Sequence, residues 1–136
     1  MEITEIGIEL VVELPYINTL EKVIEALKSQ GFGVLTMIDV KATMQEKLGE
    51  AFRPYAILGA CNPPLAHRAL TSNPSIGLLL PCNVTVEEIA PGHSIVRLAN
   101  PKTMLNLGVQ DDPELAVIAN EAYQRITNVA EILTSG

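Results

Sequence analysis

Aromatic and basic side chains are scarce in this sequence. Of 136 residues two are Phe, three are Tyr and none is Trp, while nine Lys and Arg stand against sixteen Asp and Glu, a formal net charge of −7. Such a chain meets nucleic acid with repulsion in place of counterion release, and it offers few rings for bases to stack on. A nucleic-acid partner is excluded. Cysteine is rare too. Cys61 and Cys82 are too few for a disulfide scaffold, and both are expected as reduced thiols of a cytoplasmic protein. Uninterrupted apolar runs such as Ile76 to Pro81 fall far short of the roughly 20 residues of a membrane-spanning helix. The stretch from Ile6 to Leu14 is broken by Glu9 and Glu13, so neither a signal peptide nor a membrane association is expected.

What is present is the composition of one soluble globular domain over residues 1–136, 48% hydrophobic and 18% charged. Ile6, Ile8, Leu10, Val12 and Leu14 alternate with a mostly acidic set, the period of a half-buried strand. Asn18 and Glu21 resemble a capping box, and Leu20, Val23, Ile24 and Leu27 recur at helical spacing, predicting a helix from about 18 to 30. Phe32 to Val40 reads as a second strand, with Leu35 and Met37 opposite Phe32, Val34, Ile38 and Val40. Met44 and Leu48 fit a short helix before Gly49, and Tyr55 to Cys61 is a third strand.

Asn62-Pro63-Pro64 opens a helix over 63–71. Ile76, Leu78, Leu80, Cys82, Val84 and Val86 share one face of a further strand by their even spacing, and Ala90-Pro91-Gly92 turns the chain into its partner, Ser94 to Ala99. A short helix then runs from Asn100-Pro101 to near Gly108. Asp112-Pro113-Glu114 starts a long helix whose stripe is Leu115, Ile118, Ala119, Ala122, Ile126, Val129, Ala130 and Leu133. The order implies an α+β fold, a single two-layer domain with a largely antiparallel twisted sheet of about five strands and helices packed on a face.

The segment Tyr55 to Pro63, with its Gly59-Ala60-Cys61-Asn62-Pro63, and the later Pro81-Cys82-Asn83-Val84 resemble the bacterial and archaeal family called domain of unknown function 302. The resemblance extends through Lys47-Leu48-Gly49 and Pro101-Lys102-Thr103-Met104-Leu105. It implies a small α+β domain, often dimeric, without a settled activity. Where members commonly carry Asp before the downstream proline, this chain has Asn100.

The candidate site residues are Cys61, Asn62, His67, Cys82 and Asn83. Cys61 closes a strand at the start of a helix, where the dipole favours a thiolate, yet Cys is also among the most buried residue types. The register of Cys82 with Leu80 and Val84 argues for packing. Asn62 suits a helix cap, whereas Asn83 projects away from the apolar set of its strand and is the better ligand contact. His67 sits on the short helix as a surface or pocket-rim residue. Cys61, His67, Cys82 and His93 number enough donors for zinc but lack paired spacing, so neither a metal nor a cofactor is implied. Adjacent Glu87 and Glu88 face opposite ways and read as solvated strand-end charges. Hydrolase-elbow, phosphate-loop and dinucleotide motifs are lacking. The leading expectation is a small-molecule-binding or dimeric interaction domain. A thiol-dependent enzyme using Cys61, with Cys82 as second thiol and His67 as base, and a metal-binding protein are the alternatives, and whether the chain is catalytic stays open. A homodimer is expected because Val11 projects from the otherwise acidic face of the first strand and Leu35 and Met37 lie opposite the apolar set of the second, so apolar side chains occur on both faces.

Overall fold

A computed structural model describes residues 1–106 and 111–135. The strands are β1 (Glu2–Ile3), β2 (Gly7–Val12), β3 (Gly33–Asp39), β4 (Tyr55–Cys61), β5 (Cys82–Ala90) and β6 (His93–Ala99). The helices are α1 (Tyr16–Ser29), α2 (Val40–Leu48), α3 (Pro63–Ser72), α4 (Pro101–Asn106) and α5 (Pro113–Ser135), with a 3-10 helix at Pro74–Leu79. One six-stranded antiparallel sheet has the order β1-β2-β6-β5-β4-β3. The fold is α+β as expected, and the strand beyond the predicted five is the two-residue β1 at one edge.

Period-two burial sorts the sheet into faces. Ile8, Leu10, Val12, Ala56, Leu58, Ala60, Val84, Val86, Val96 and Leu98 form the covered face, packed on Val23 and Leu27 of α1 and on Ile126, Val129, Ala130 and Leu133 of α5. Every member of the predicted α5 stripe is buried. Asp112 starts that helix, its Oδ1 accepting from the Glu114 and Leu115 amides at 3.0 and 3.2 Å. The alternate residues make an open face, on which Glu9, Val11, Ile57, Thr85 and Arg97 stay partly or fully exposed.

Four expectations change. α1 begins at Tyr16, and its N-cap is Pro15, without a side-chain bond, so Asn18 and Glu21 are no capping box. Thr19 instead donates to the Pro15 carbonyl at 3.0 Å within the first turn. β3 carries a bulge between Val34 and Thr36, which puts Ile38 opposite Ile57 and the open face instead of in line with Val34. The strand expected from Ile76 starts only at Cys82. Asn73 accepts from the Ser75 amide at 3.0 Å, Pro74 follows, and Ile76 packs against α3 and α5 from the 3-10 helix, while Leu78 is exposed. Even spacing imitated a strand there because a tight turn with one buried side chain satisfies the same short pattern. The Leu80-Pro81 peptide is cis. Finally, Glu87 is buried, as described below. The predicted end of α4 near Gly108 lies outside the described residues.

Candidate functional site

Cys61 ends β4, and the register Ala60↔Cys82 places Cys82 beside it at the start of β5. Both thiols are free and half-buried, and they line one small pocket with Phe32, Leu65, Leu80, Met104 and Ile118. The pocket encloses about 50 Å³ and its walls are almost wholly apolar. Burial pushes the Cys82 thiol up to about 11, and repulsion from Cys61 adds to the shift. Asn62 also borders the pocket, but its amide is engaged. Oδ1 accepts from the Leu65 amide at 3.3 Å as the N-cap of α3, and Nδ2 donates to the Gln30 carbonyl at 3.3 Å. Arg125 Nη1 donates to the same carbonyl at 3.0 Å, so α1, α3 and α5 meet at one saturated knot. Gly31 completes α1 with φ +85°, and a Cβ there would lie 2.9 Å from Asn62 Nδ2.

His67 is not brought to the thiols. It stands exposed on α3 in a shallow surface depression with Arg68, Thr71, Ser72 and Glu114. Nor do the four soft donors converge, because His93 begins β6 at the far end of the hairpin and pairs with Glu13. No group of three or more His, Cys, Asp or Glu side chains gathers as a metal site among the described residues. The pocket therefore lacks the thiol–imidazole contact that activates a cysteine nucleophile.

Asn83 takes the other face. It is exposed, as its odd register predicts, and it lines a cleft of about 440 Å³ on the open face with Thr4, Ile6, Glu9, Tyr55, Thr85 and Arg97. Beside this cleft runs an ion ladder that sequence reading missed. Arg97 donates from Nε to Glu9 Oε1 and from Nη1 to Glu87 Oε1, both at 2.7 Å, and Arg53 donates from Nε to Glu87 Oε2. Burial alone would raise the Glu87 carboxyl. The hydrogen bonds and charges of Arg97 and Arg53 outweigh it and hold the group below the usual carboxylate range. The signal for this ladder was long-range pairing: Glu9↔Arg97 and Arg97↔Thr85 are cross-strand partners, and no local pattern reports them. Two carboxylates and two guanidinium groups leave the ladder with no net charge. Thr85 Oγ1 is shut off from solvent and makes no hydrogen bond among the described residues.

Asn100 is buried, and its Oδ1 accepts from the Lys102 amide at 3.0 Å at the start of α4. An aspartate there would accept the same bond, so the departure at this position preserves the cap.

An open antiparallel sheet with helices on one face, two thiols at its end and a cleft on its bare side define a small α+β domain. The chain belongs to the family described as domain of unknown function DUF302, whose model matches residues 8–133. It is similar to a solved structure, the crystal structure of an uncharacterized conserved DUF302 protein from Bacillus stearothermophilus. The two share 30% identity with a TM-score of 0.84, over 96% of this chain and 99% of the other. No curated protein matches the chain. No helix among the described residues is long and apolar enough to cross a membrane.

Proposed function

We propose that the protein is a small-molecule-binding domain whose ligand occupies the open-face cleft, and that this ligand is neutral and bears hydroxyl or amide groups. The observation that carries the reading is the cleft of about 440 Å³ beside a charge-balanced ladder. That volume falls in the range of organic-ligand sites, roughly 300 to 1,000 Å³, whereas the thiol pocket does not. Tyr55 and Asn83 supply a phenol and an amide, groups that both donate and accept. A charged ligand would meet a ladder already neutralised and, if anionic, the field of a chain with net charge −7.

The test is a thermal-shift comparison of monosaccharides, nucleosides and small amides against carboxylates and amines of similar size. At ten times its Kd a ligand adds about 1.4 kcal/mol of stability, a rise in Tm of roughly 5 °C for a domain of this size. Neutral compounds are expected to give that rise, and Asn83→Ala combined with Tyr55→Phe to remove it. Shifts confined to charged compounds, or unaltered in the double variant, would overturn the proposal.

A second observation favours a homodimer. β3 is a seven-residue edge strand with one row of backbone groups unpaired, and Leu35, Met37 and Ile38 on it are 68%, 55% and 49% exposed. Antiparallel pairing of two β3 strands about a two-fold axis would satisfy that edge and leave free the cleft, which reaches from β2 across β6 and β5 to Tyr55 at the start of β4. Sedimentation at high micromolar concentration is expected to give a dimer that Met37→Lys with Ile38→Lys dissociates. A monomer in the unsubstituted protein would refute it.

A further inference from the structure

We infer that the ligand of the open-face cleft is an amphiphile, a neutral head group carrying one aliphatic tail, and that the tail passes round the end of the sheet to the helix side. The inference rests on the cleft reading above and adds the tail to it. Three cavities follow one another along the end of the sheet. The cleft, of about 440 Å³, shares Asn83 and Ala99 with a second cavity of about 170 Å³. That second cavity shares Leu79, Leu80, Pro81, Cys82 and Met104 with the half-open pocket that the two thiols line. Strand parity gives the route its turn. The Val84↔Leu98 register carries Asn83 alongside Ala99 on the open face, whereas Cys82 has the parity of the buried Val84 and belongs to the helix side. The middle cavity therefore has one wall on each face of the sheet.

Polarity falls along this route. Tyr55, Asn83 and Arg97 stand in the cleft, and beyond Asn83 the middle cavity is bounded mainly by leucine, proline and alanine. Leu78 on its rim is 89% exposed, an apolar side chain left in water that a passing tail would cover. In the last pocket Asn62 brings an amide that is already engaged at both ends, so its walls ask nothing polar of an occupant. This pocket lies on the seam between two buried clusters, with Phe32 and Ala60 from one and Leu65, Ala69, Ile118 and Ala122 from the other. A gap on such a seam deprives its walls of dispersion contacts and holds water poorly, because water needs polar partners. An alkyl group restores those contacts and needs no such partner. A polar site that opens onto a narrow apolar recess fits a head group with one chain, and a bare sugar or amide would fill only the first part.

The test is calorimetric titration with two homologous series, n-alkyl β-D-glucosides and N-alkylacetamides from methyl to octyl, each below its micellar concentration. A fully buried methylene is worth about fourfold in Kd, so in a half-open recess each added methylene is expected to tighten binding about two- to fourfold. With methionine methyl groups labelled with 13C, the Met104 resonance is expected to move with the hexyl compound and not with the methyl one, while Met37 and Met44 on β3 and α2 stay in place. Ala66→Phe, which fills the last pocket, and Leu78→Asp, which charges the rim, are expected to flatten the dependence on tail length. Leu78 is exposed, so its replacement leaves the core intact even where Ala66→Phe fails to fold by circular dichroism. Binding of the methyl compounds with no gain along the series would overturn the tail and leave the cleft reading standing. Tail-dependent binding unaltered by Asn83→Ala with Tyr55→Phe would overturn the cleft reading and the amphiphile with it, as would failure of both series to bind. Dependence on tail length kept in folded Leu78→Asp and Ala66→Phe, or movement of Met37 and Met44 in place of Met104, would assign the tail to another surface and overturn the inference.

Discussion

Replacing Glu87 by Gln removes the charge at the centre of the open-face ladder while keeping the side chain's shape. The Glu87 side chain is 7% exposed and receives one guanidinium from each side, whereas Arg53 and Arg97 are 53% and 39% exposed. Charge-assisted hydrogen bonds to a buried group are worth about 1.5 to 3 kcal/mol each. Water reaches both arginines, so part of that is recovered and the expected loss is about 2 kcal/mol for the pair. With an unfolding entropy of roughly 2.1 cal/mol/K per residue, that loss lowers Tm by about 7 °C at pH 7.

The effect has a defined pH dependence. Because the folded carboxyl lies below its unfolded value, the stabilisation is complete above about pH 4.3 and is lost as pH falls through the folded value. The gap between the unsubstituted protein and Glu87→Gln therefore closes in acid. Thermal unfolding followed by circular dichroism from pH 7 down to the lowest pH at which both remain folded measures it. A Tm difference within 1 °C at pH 7, or one that persists undiminished in acid, would refute the reasoning.

Asn62→Ala removes the cap of α3 and one bond to the Gln30 carbonyl, and it should cost about 1 to 2 kcal/mol by urea denaturation. Thr85→Val exchanges a buried hydroxyl without a partner for a methyl of similar shape, so it should raise stability by about 1 kcal/mol; a loss would show that the hydroxyl is satisfied. Cys82, with its thiol pushed up to about 11, should react with iodoacetamide at pH 8 roughly a hundredfold more slowly than free cysteine, as followed by peptide mass spectrometry. Gly7→Ala places a Cβ 2.7 Å from the Leu98 carbonyl oxygen of the neighbouring strand, and a destabilisation of about 1 to 3 kcal/mol is expected in chemical denaturation.

The parts of the fold legible in the sequence are those set by local periodicity. α5 announces itself through a cap, a proline and a stripe of eight buried positions, and β4 through a continuous apolar run ending at Cys61. Asn83 was placed by parity alone, since Val84 and Val86 point into the core and it must point away. Legibility fails where one short pattern serves two conformations or where contacts are non-local. Ile76 to Leu80 has the spacing of a strand, but the Asn73-Pro74 start and the packing of Ile76 against α3 and α5 favour a 3-10 helix. The partners of Glu87 lie ten residues ahead at Arg97 and thirty-four behind at Arg53, beyond the reach of any local window.

The claim that the open face of the sheet is where this protein meets its ligand is tested most directly by amide chemical-shift mapping. The uniformly 15N-labelled protein would be titrated with the neutral compound that gives the largest thermal shift. The account predicts perturbations clustered at Glu9, Tyr55, Asn83, Thr85 and Arg97, with the buried faces of α1 and α5 unmoved. Perturbations centred instead on the α3 depression around His67, or on the helix side of the sheet, would contradict it.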